Sequence, residues 1–178
     1  MRPVPSSARI LALSSHPSTP TDVVRTLEVH IESIAGGIVE LRYVLEAPLD
    51  RLRIPPPRTA TRRDELWKRT CFEVFVATEA AGPYRELNFA PSSEWALYSF
   101  DDYRKGMATP EARAPSVGVQ SSAQRLTLQV SADSGLAAVR RLALSAVIED
   151  GDGRLSYWAL RHPSGKPDFH HPESFLSL

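Results

Sequence analysis

Prolines punctuate this chain and mark where regular structure can run. Fifteen of its 178 residues are proline, about 8% against a usual ~5%. Twelve of them sit at Pro17 and Pro20, Pro55 to Pro57, Pro83, Pro91, Pro110 and Pro115, then Pro163, Pro167 and Pro172. A proline cannot donate to a sheet ladder and breaks a helix interior. Regular structure therefore has to run between these positions. The intervals carry period-two alternation or short β-branched runs, the mark of half-buried and buried strands.

Leu27, Val29 and Ile31 alternate with Glu28, His30 and Glu32. Gly36-Gly37 follows, then Ile38 to Glu46, which predicts a hairpin. Cys71 to Ala77 (CFEVFVA) is apolar on nearly both faces, as in a central strand. Tyr84 to Ala90, Glu94 to Phe100, Gln124 to Val130, Leu142 to Glu149 and Arg154 to Leu160 complete the predicted strands. One short helix is expected over Gly135 to Arg141, where Leu136, Val139 and Arg140 have helical spacing. Many short strands with turn signals between them predict an all-β fold, an antiparallel β-sandwich. The first fifteen residues read as an N-terminal extension and residues 16–178 as one domain.

Composition narrows the function classes. Lys+Arg and Asp+Glu are both 21, so the formal charge is zero, which argues against a nucleic-acid partner. The local excess in Arg51 to Arg69, seven cations against Asp64 and Glu65, reads as a solvated loop. No run approaches the ~20 apolar residues of a membrane helix. In MRPVPSSARILALSSHP only Ile10 to Leu13 are continuously apolar, too short for a secretory core. The expectation is a soluble, cytoplasmic protein without a membrane partner. Its single cysteine, Cys71, rules out an internal disulfide and fits a reducing compartment.

Strand parity locates the chemistry. In CFEVFVA, Glu73 shares a face with Cys71 and Phe75. A carboxylate among apolar side chains costs several kcal/mol unless partnered. In YRELNF, Tyr84, Glu86 and Asn88 form a hydrogen-bonding strip about 14 Å long. In RLSYWAL, Arg154, Ser156 and Trp158 share a face. Carboxyls, an amide and aromatic faces together suit a polyhydroxylated ligand. Alternatively, the Tyr84 strip is the solvated face of the sheet. Trp67, in the connection before Glu73, is either a stacking plate or a cap on the core. Trp95 is the expected core tryptophan. The histidines of HPSGKPDFHHP invite a metal reading, but adjacent His170 and His171 point oppositely in an extended chain, and no HExxH is present. Hydrogen bonding within a closing loop is the preferred reading there. No GxSxG elbow and no phosphate loop occurs.

Three blocks, DELWKRTCFEVFVA, YRELNFAPSSEWALYSFDDYRKGM and SYWALRHPSGKPDFHHPESF, together resemble the bacterial DOMON-like domain proteins, relatives of the family 9 carbohydrate-binding modules. The resemblance runs from about His16 to the end. It implies a β-sandwich of jelly-roll type and a site for a sugar or a haem. In the sugar-binding modules a tryptophan six residues before a strand glutamate stacks on the sugar while the glutamate takes hydroxyls. Trp67 and Glu73 match that spacing, and Asn88 matches a polar position of the site. A second stacking tryptophan is expected late in the chain; Trp158 is one candidate, and a closing loop would lie near Phe169 and His170. The candidate ligand set is thus Trp67, Glu73, Tyr84, Glu86, Asn88, Arg154, Trp158 and His170. The function expected is non-catalytic binding of a sugar or sugar-like metabolite, with no cofactor. The alternatives are a haem-binding electron-transfer domain using Met107 and a histidine, or an enzyme pairing Glu73 with Glu86 or Asp101.

Overall fold

A computed structural model describes residues 9–178. Eleven strands form it: β1 (Arg9–Ser15), β2 (Thr26–Ala35), β3 (Ile38–Glu46), β4 (Cys71–Ala77), β5 (Tyr84–Phe89), β6 (Trp95–Phe100), β7 (Ser116–Ser121), β8 (Arg125–Asp133), β9 (Arg141–Glu149), β10 (Leu155–Ala159) and β11 (Leu176–Ser177). All neighbouring strands pair antiparallel, in the order β6-β5-β4-β9-β10-β1-β2-β3-β8-β7, with β11 added to β9. The ladder folds on itself at β1, which pairs with β2 along its length but with β10 only through Ser14 and Ser15. This gives two facing layers, β1-β2-β3-β8-β7 and β6-β5-β4-β9-β10.

The main core fills the space between the layers. Val39, Leu41, Tyr43 and Leu45 alternate inward from β3, and Phe72, Val74 and Val76 meet them from β4. The Tyr43 ring lies 5.2 Å from Phe72, and its hydroxyl donates to the Glu73 carbonyl across the layers. Trp95 belongs to this core, as expected. A second apolar cluster lies on the outer face of β4, β5, β6 and β9, around Phe75, Tyr84, Phe100 and Phe175. That cluster buries β4 on both faces, and it is where the site forms.

Four features differ from the sequence reading. Arg9–Ser15, expected as part of an extension, are a strand inside the ladder; residues 1–8 lie outside the described residues. Strands β7 and β11 are not among the strands read from the sequence, although Val117 and Val119 of β7 alternate toward the core. The segment Gly135 to Arg141 forms no helix, and the described residues contain only 3₁₀ turns at Leu49–Arg51, Leu66–Lys68 and Pro172–Ser174. Seven residues are too few to repay helix nucleation, and Leu136 and Val139 pack on the core edge instead. Finally, the basic connection is more than a solvated loop. Arg53 and Arg69 both hold the buried Glu149 carboxylate, at 3.0 and 3.3 Å, and Arg62 donates to the Leu97 carbonyl at 2.7 Å.

The β2–β3 hairpin closes on Gly36-Gly37, as predicted. Gly37 has φ +80°, and a Cβ there would lie 1.9 Å from the Leu136 carbonyl oxygen. Backbone cannot yield as a side-chain tip can. Gly37→Ala is therefore expected to cost at least about 2 kcal/mol in urea denaturation. A variant as stable as the parent would show that the loop over Gly37 yields freely.

Candidate functional site

The site grows from strand parity on the outer face of the second layer. Glu73 in β4 is opposite Asn88 in β5 and Ser145 in β9. Glu86 in β5 is opposite Phe75 in β4 and Tyr98 in β6. Glu73 and Glu86 are thus diagonal neighbours on one face, a separation of about 7–8 Å between backbones. Two loops roof them. One carries Leu66 and Trp67 from the connection before β4. The other carries Pro167, Phe169 and His170 from the closing segment after β10. Between floor and roof is a cleft of about 340 Å³, walled by Trp67, Phe75, Phe100, Tyr157 and Phe169, with Glu73, Glu86 and His170 at its polar end.

The polar groups form a short network. Asn88 Nδ2 donates to Glu86 Oε1 at 2.9 Å. Glu86 Oε2 lies 3.6 Å from His170 Nε2, and His170 Nδ1 hydrogen-bonds the Tyr84 hydroxyl at 2.8 Å. Ser145 donates its hydroxyl to Glu73 Oε2 at 3.2 Å. Glu73 Oε1 and Asn88 Oδ1, both buried, have no protein partner. Asp168 anchors the roof: its carboxylate accepts from Arg104 Nη2 at 2.8 Å, from the Tyr103 hydroxyl, and from the His170 backbone N–H at 3.1 Å.

Burial dominates the electrostatics. It pushes Glu73 well above the carboxylate range, and the Glu86 charge adds to the push while the Ser145 hydroxyl opposes it. Burial lifts Glu86 to about 7 against the Asn88 hydrogen bond and the Arg104 charge. Burial, then the Arg104 charge, lowers His170 to about 4. Their 3.6 Å contact is therefore a neutral imidazole beside a half-titrated carboxyl near pH 7, not an ion pair. Asp168 behaves oppositely. Burial would raise it, but the hydrogen bonds from Tyr103 and Arg104 outweigh burial and keep it below its usual range.

Six of the eight expected residues converge: Trp67, Glu73, Tyr84, Glu86, Asn88 and His170. Two do not. Trp158 points into the main core, 6% exposed, and its indole N–H donates to Ser156 Oγ at 3.0 Å. It therefore cannot be the second stacking plate. Arg154 lies in the β9–β10 turn, largely exposed, paired with Asp152 at 2.9 Å, away from the cleft. They fail for different reasons. Trp158 lies with Ser156 on the inner face of β10, whereas Arg154 stands in the turn before the strand. Tyr157, of opposite parity, supplies the aromatic wall, and its ring lies 6.0 Å from Phe169. Parity alone could have flagged Tyr157; nothing in the sequence flagged Phe100 or Arg104. The other loop histidines are engaged in bonding, His162 with the Ser14 carbonyl at 2.7 Å and His171 with the Glu173 N–H at 3.3 Å. Among the described residues no group of three His, Cys, Asp or Glu is placed to hold a metal. No helix is long and apolar enough to cross a membrane.

Solved structures share this architecture. A Bacteroides uniformis protein described as a "putative carbohydrate-binding protein" is similar at a TM-score of 0.67 and 12% identity, over 96% of this chain and 86% of that one. A family 9 carbohydrate-binding module from Caldicellulosiruptor kristjanssonii, solved with glucose, is similar at a TM-score of 0.53 and 10% identity, over 99% of this chain and 90% of that one. The common feature is the fold. No protein-family model matches the chain and no curated protein matches its sequence. At these identities the likeness speaks for the all-β antiparallel sandwich and not for the DOMON-like label.

The residues do not fit a haem. His170 has both imidazole nitrogens beside protein groups, and Met107 is 54% exposed at the cleft rim. Neither is disposed as a buried axial ligand.

Proposed function

We propose that this protein is a non-catalytic binding module for a sugar or sugar-like metabolite, held in the cleft over β4 and β5. One observation carries the reading. Glu73 Oε1, on a side chain almost wholly buried, borders a cleft walled by aromatic rings and has no protein partner. An unmet buried polar atom costs about 1–3 kcal/mol, and a ligand hydroxyl in the cleft would supply the missing bond. Burial holds the Glu73 carboxyl toward its neutral form, in which it offers a hydroxyl donor as well as an acceptor. Asn88 and Glu86 fix the neighbouring polar positions. Trp67 stands at the entrance, held edge-on by Tyr98 at 5.7 Å, whose hydroxyl donates to Asp64. A cleft of this volume lies at the lower end of small-molecule sites, room for about one sugar ring. The two solved structures of like fold, one described as a "putative carbohydrate-binding protein" and one a family 9 module with glucose, support the same class.

Hydrolysis is the less favoured reading. Glycosidases flank the scissile bond with their carboxyls, whereas Glu73 and Glu86 belong to one wall, on adjacent strands.

Calorimetry and tryptophan fluorescence with a panel of neutral and amino monosaccharides and disaccharides test the reading. Saturable binding is expected, weakened about tenfold or more by Trp67→Ala. No heat and no fluorescence change across the panel would remove the proposal.

A further inference from the structure

We infer that the cleft selects a ligand bearing a protonated amine, an amino sugar rather than a neutral one, with the ammonium seated between Glu73 and Glu86. This rests on the sugar-binding reading and narrows it.

The geometry places two carboxyls on one buried face, and no Lys or Arg comes within 4 Å of either among the described residues. The only ring nitrogen near Glu86 belongs to His170. Facing Glu73 from the packed elements are Cys71 of its own strand, Tyr43 from the opposite layer, Ser145 of β9 and Glu86 of β5. None is a cation. Arg104, the one guanidinium on the cleft, is committed to Asp168. Shielded single carboxylates elsewhere in this molecule are treated differently. Buried Glu149 has Arg53 and Arg69, and Glu94 has Arg63 at 3.0 Å. The missing counter-charge is thus confined to the cleft. Its aromatic walls suit a cation as well, because ring faces attract one.

Proton balance gives the proposal a signature. Burial, with the Glu86 charge adding to it, favours the protonated Glu73 carboxyl in the free protein. An arriving ammonium favours the carboxylate, so the O–H bond breaks and that proton passes to buffer while the ammonium keeps its own. A neutral sugar produces no such release.

The test uses the whole chain at about pH 6.5, where the amine of the probe is protonated. Glucosamine, N-acetylglucosamine and glucose are titrated in two buffers of different ionisation heat. The expected result is glucosamine binding about tenfold tighter than the other two, with a buffer-dependent heat showing net proton release. Glu73→Gln is expected to remove the preference for glucosamine and to reduce the release to what Glu86, titrating at about 7, still supplies. Should that variant misfold, the two-buffer comparison on the parent decides alone. Equal binding of glucosamine and glucose, or of glucosamine and its acetylated form, overturns the inference and leaves the sugar site standing. Absence of binding by all three, and by the wider panel, overturns both.

Discussion

Glu86→Gln is expected to gain stability over the parent as pH rises. Between about pH 4.5 and pH 7 the folded parent still holds the Glu86 proton, since the carboxyl titrates at about 7. The unfolded chain has already lost it. With fewer protons bound in the unfolded state, parent stability falls as pH rises. Two and a half pH units correspond to about 3 kcal/mol. Glutamine keeps an acceptor for the Asn88 amide and removes the titration. The gap between variant and parent should widen by that order, in favour of the variant, from pH 4.5 to 7. His170 works in the opposite sense. Its value of about 4 means that the folded chain lacks a proton the unfolded chain carries, so it adds stability as pH rises from 4 to about 6.5. The parent curve alone therefore hides the Glu86 slope. The difference curve, from urea denaturation at each pH, exposes it. A gap that stays constant with pH would mean the carboxyl is not desolvated as described.

Phe72→Ala should produce the largest loss of stability. The ring is fully buried between the layers and packs on Tyr43, whose hydroxyl ties β3 to the backbone of Glu73. Truncating a buried phenylalanine costs about 3–5 kcal/mol, a drop in melting temperature on the order of 10 °C for a chain of this size. Trp67→Ala removes a larger side chain but one at the cleft mouth, half-buried. It should disturb binding more than folding. Measuring both variants by thermal melting and sugar titration separates the core from the site. Similar melting losses for the two would place Trp67 in the core.

The same sequence rule succeeded in β4 and β5 and failed in β10. Alternation put Glu73 with Phe75, and Tyr84 with Glu86 and Asn88, and those groupings hold. It also grouped Arg154, Ser156 and Trp158; the last two do share a face, but the inner one, and Arg154 stands exposed in the turn before β10. Ser156 made that face look polar, but its hydroxyl accepts the Trp158 N–H and so serves the core. Period two states which residues share a face. It does not state which face is covered by the other layer.

His170 and Trp67 show a related limit. Each reached the site through a loop, the first from nearly a hundred residues beyond Glu73. The Tyr84 hydroxyl and Asp168 hold His170 in place, and these contacts exist only once the closing segment has folded over β5. Likewise β1 is short and poorly alternating, and it became a strand because β2 and β10 offered edges on both sides.

The chain's own order of prolines, glycines and alternating residues determined that it would be an antiparallel β protein, and which side chains stand together on each central strand. These are local properties, set by backbone dihedrals and the two-residue pleat. Only the tertiary structure decided which face of β10 is interior, that β1 joins the two layers, and that the loops before β4 and after β10 roof Glu73 and Glu86. Those outcomes depend on burying apolar surface between segments distant in sequence, and no local pattern encodes them.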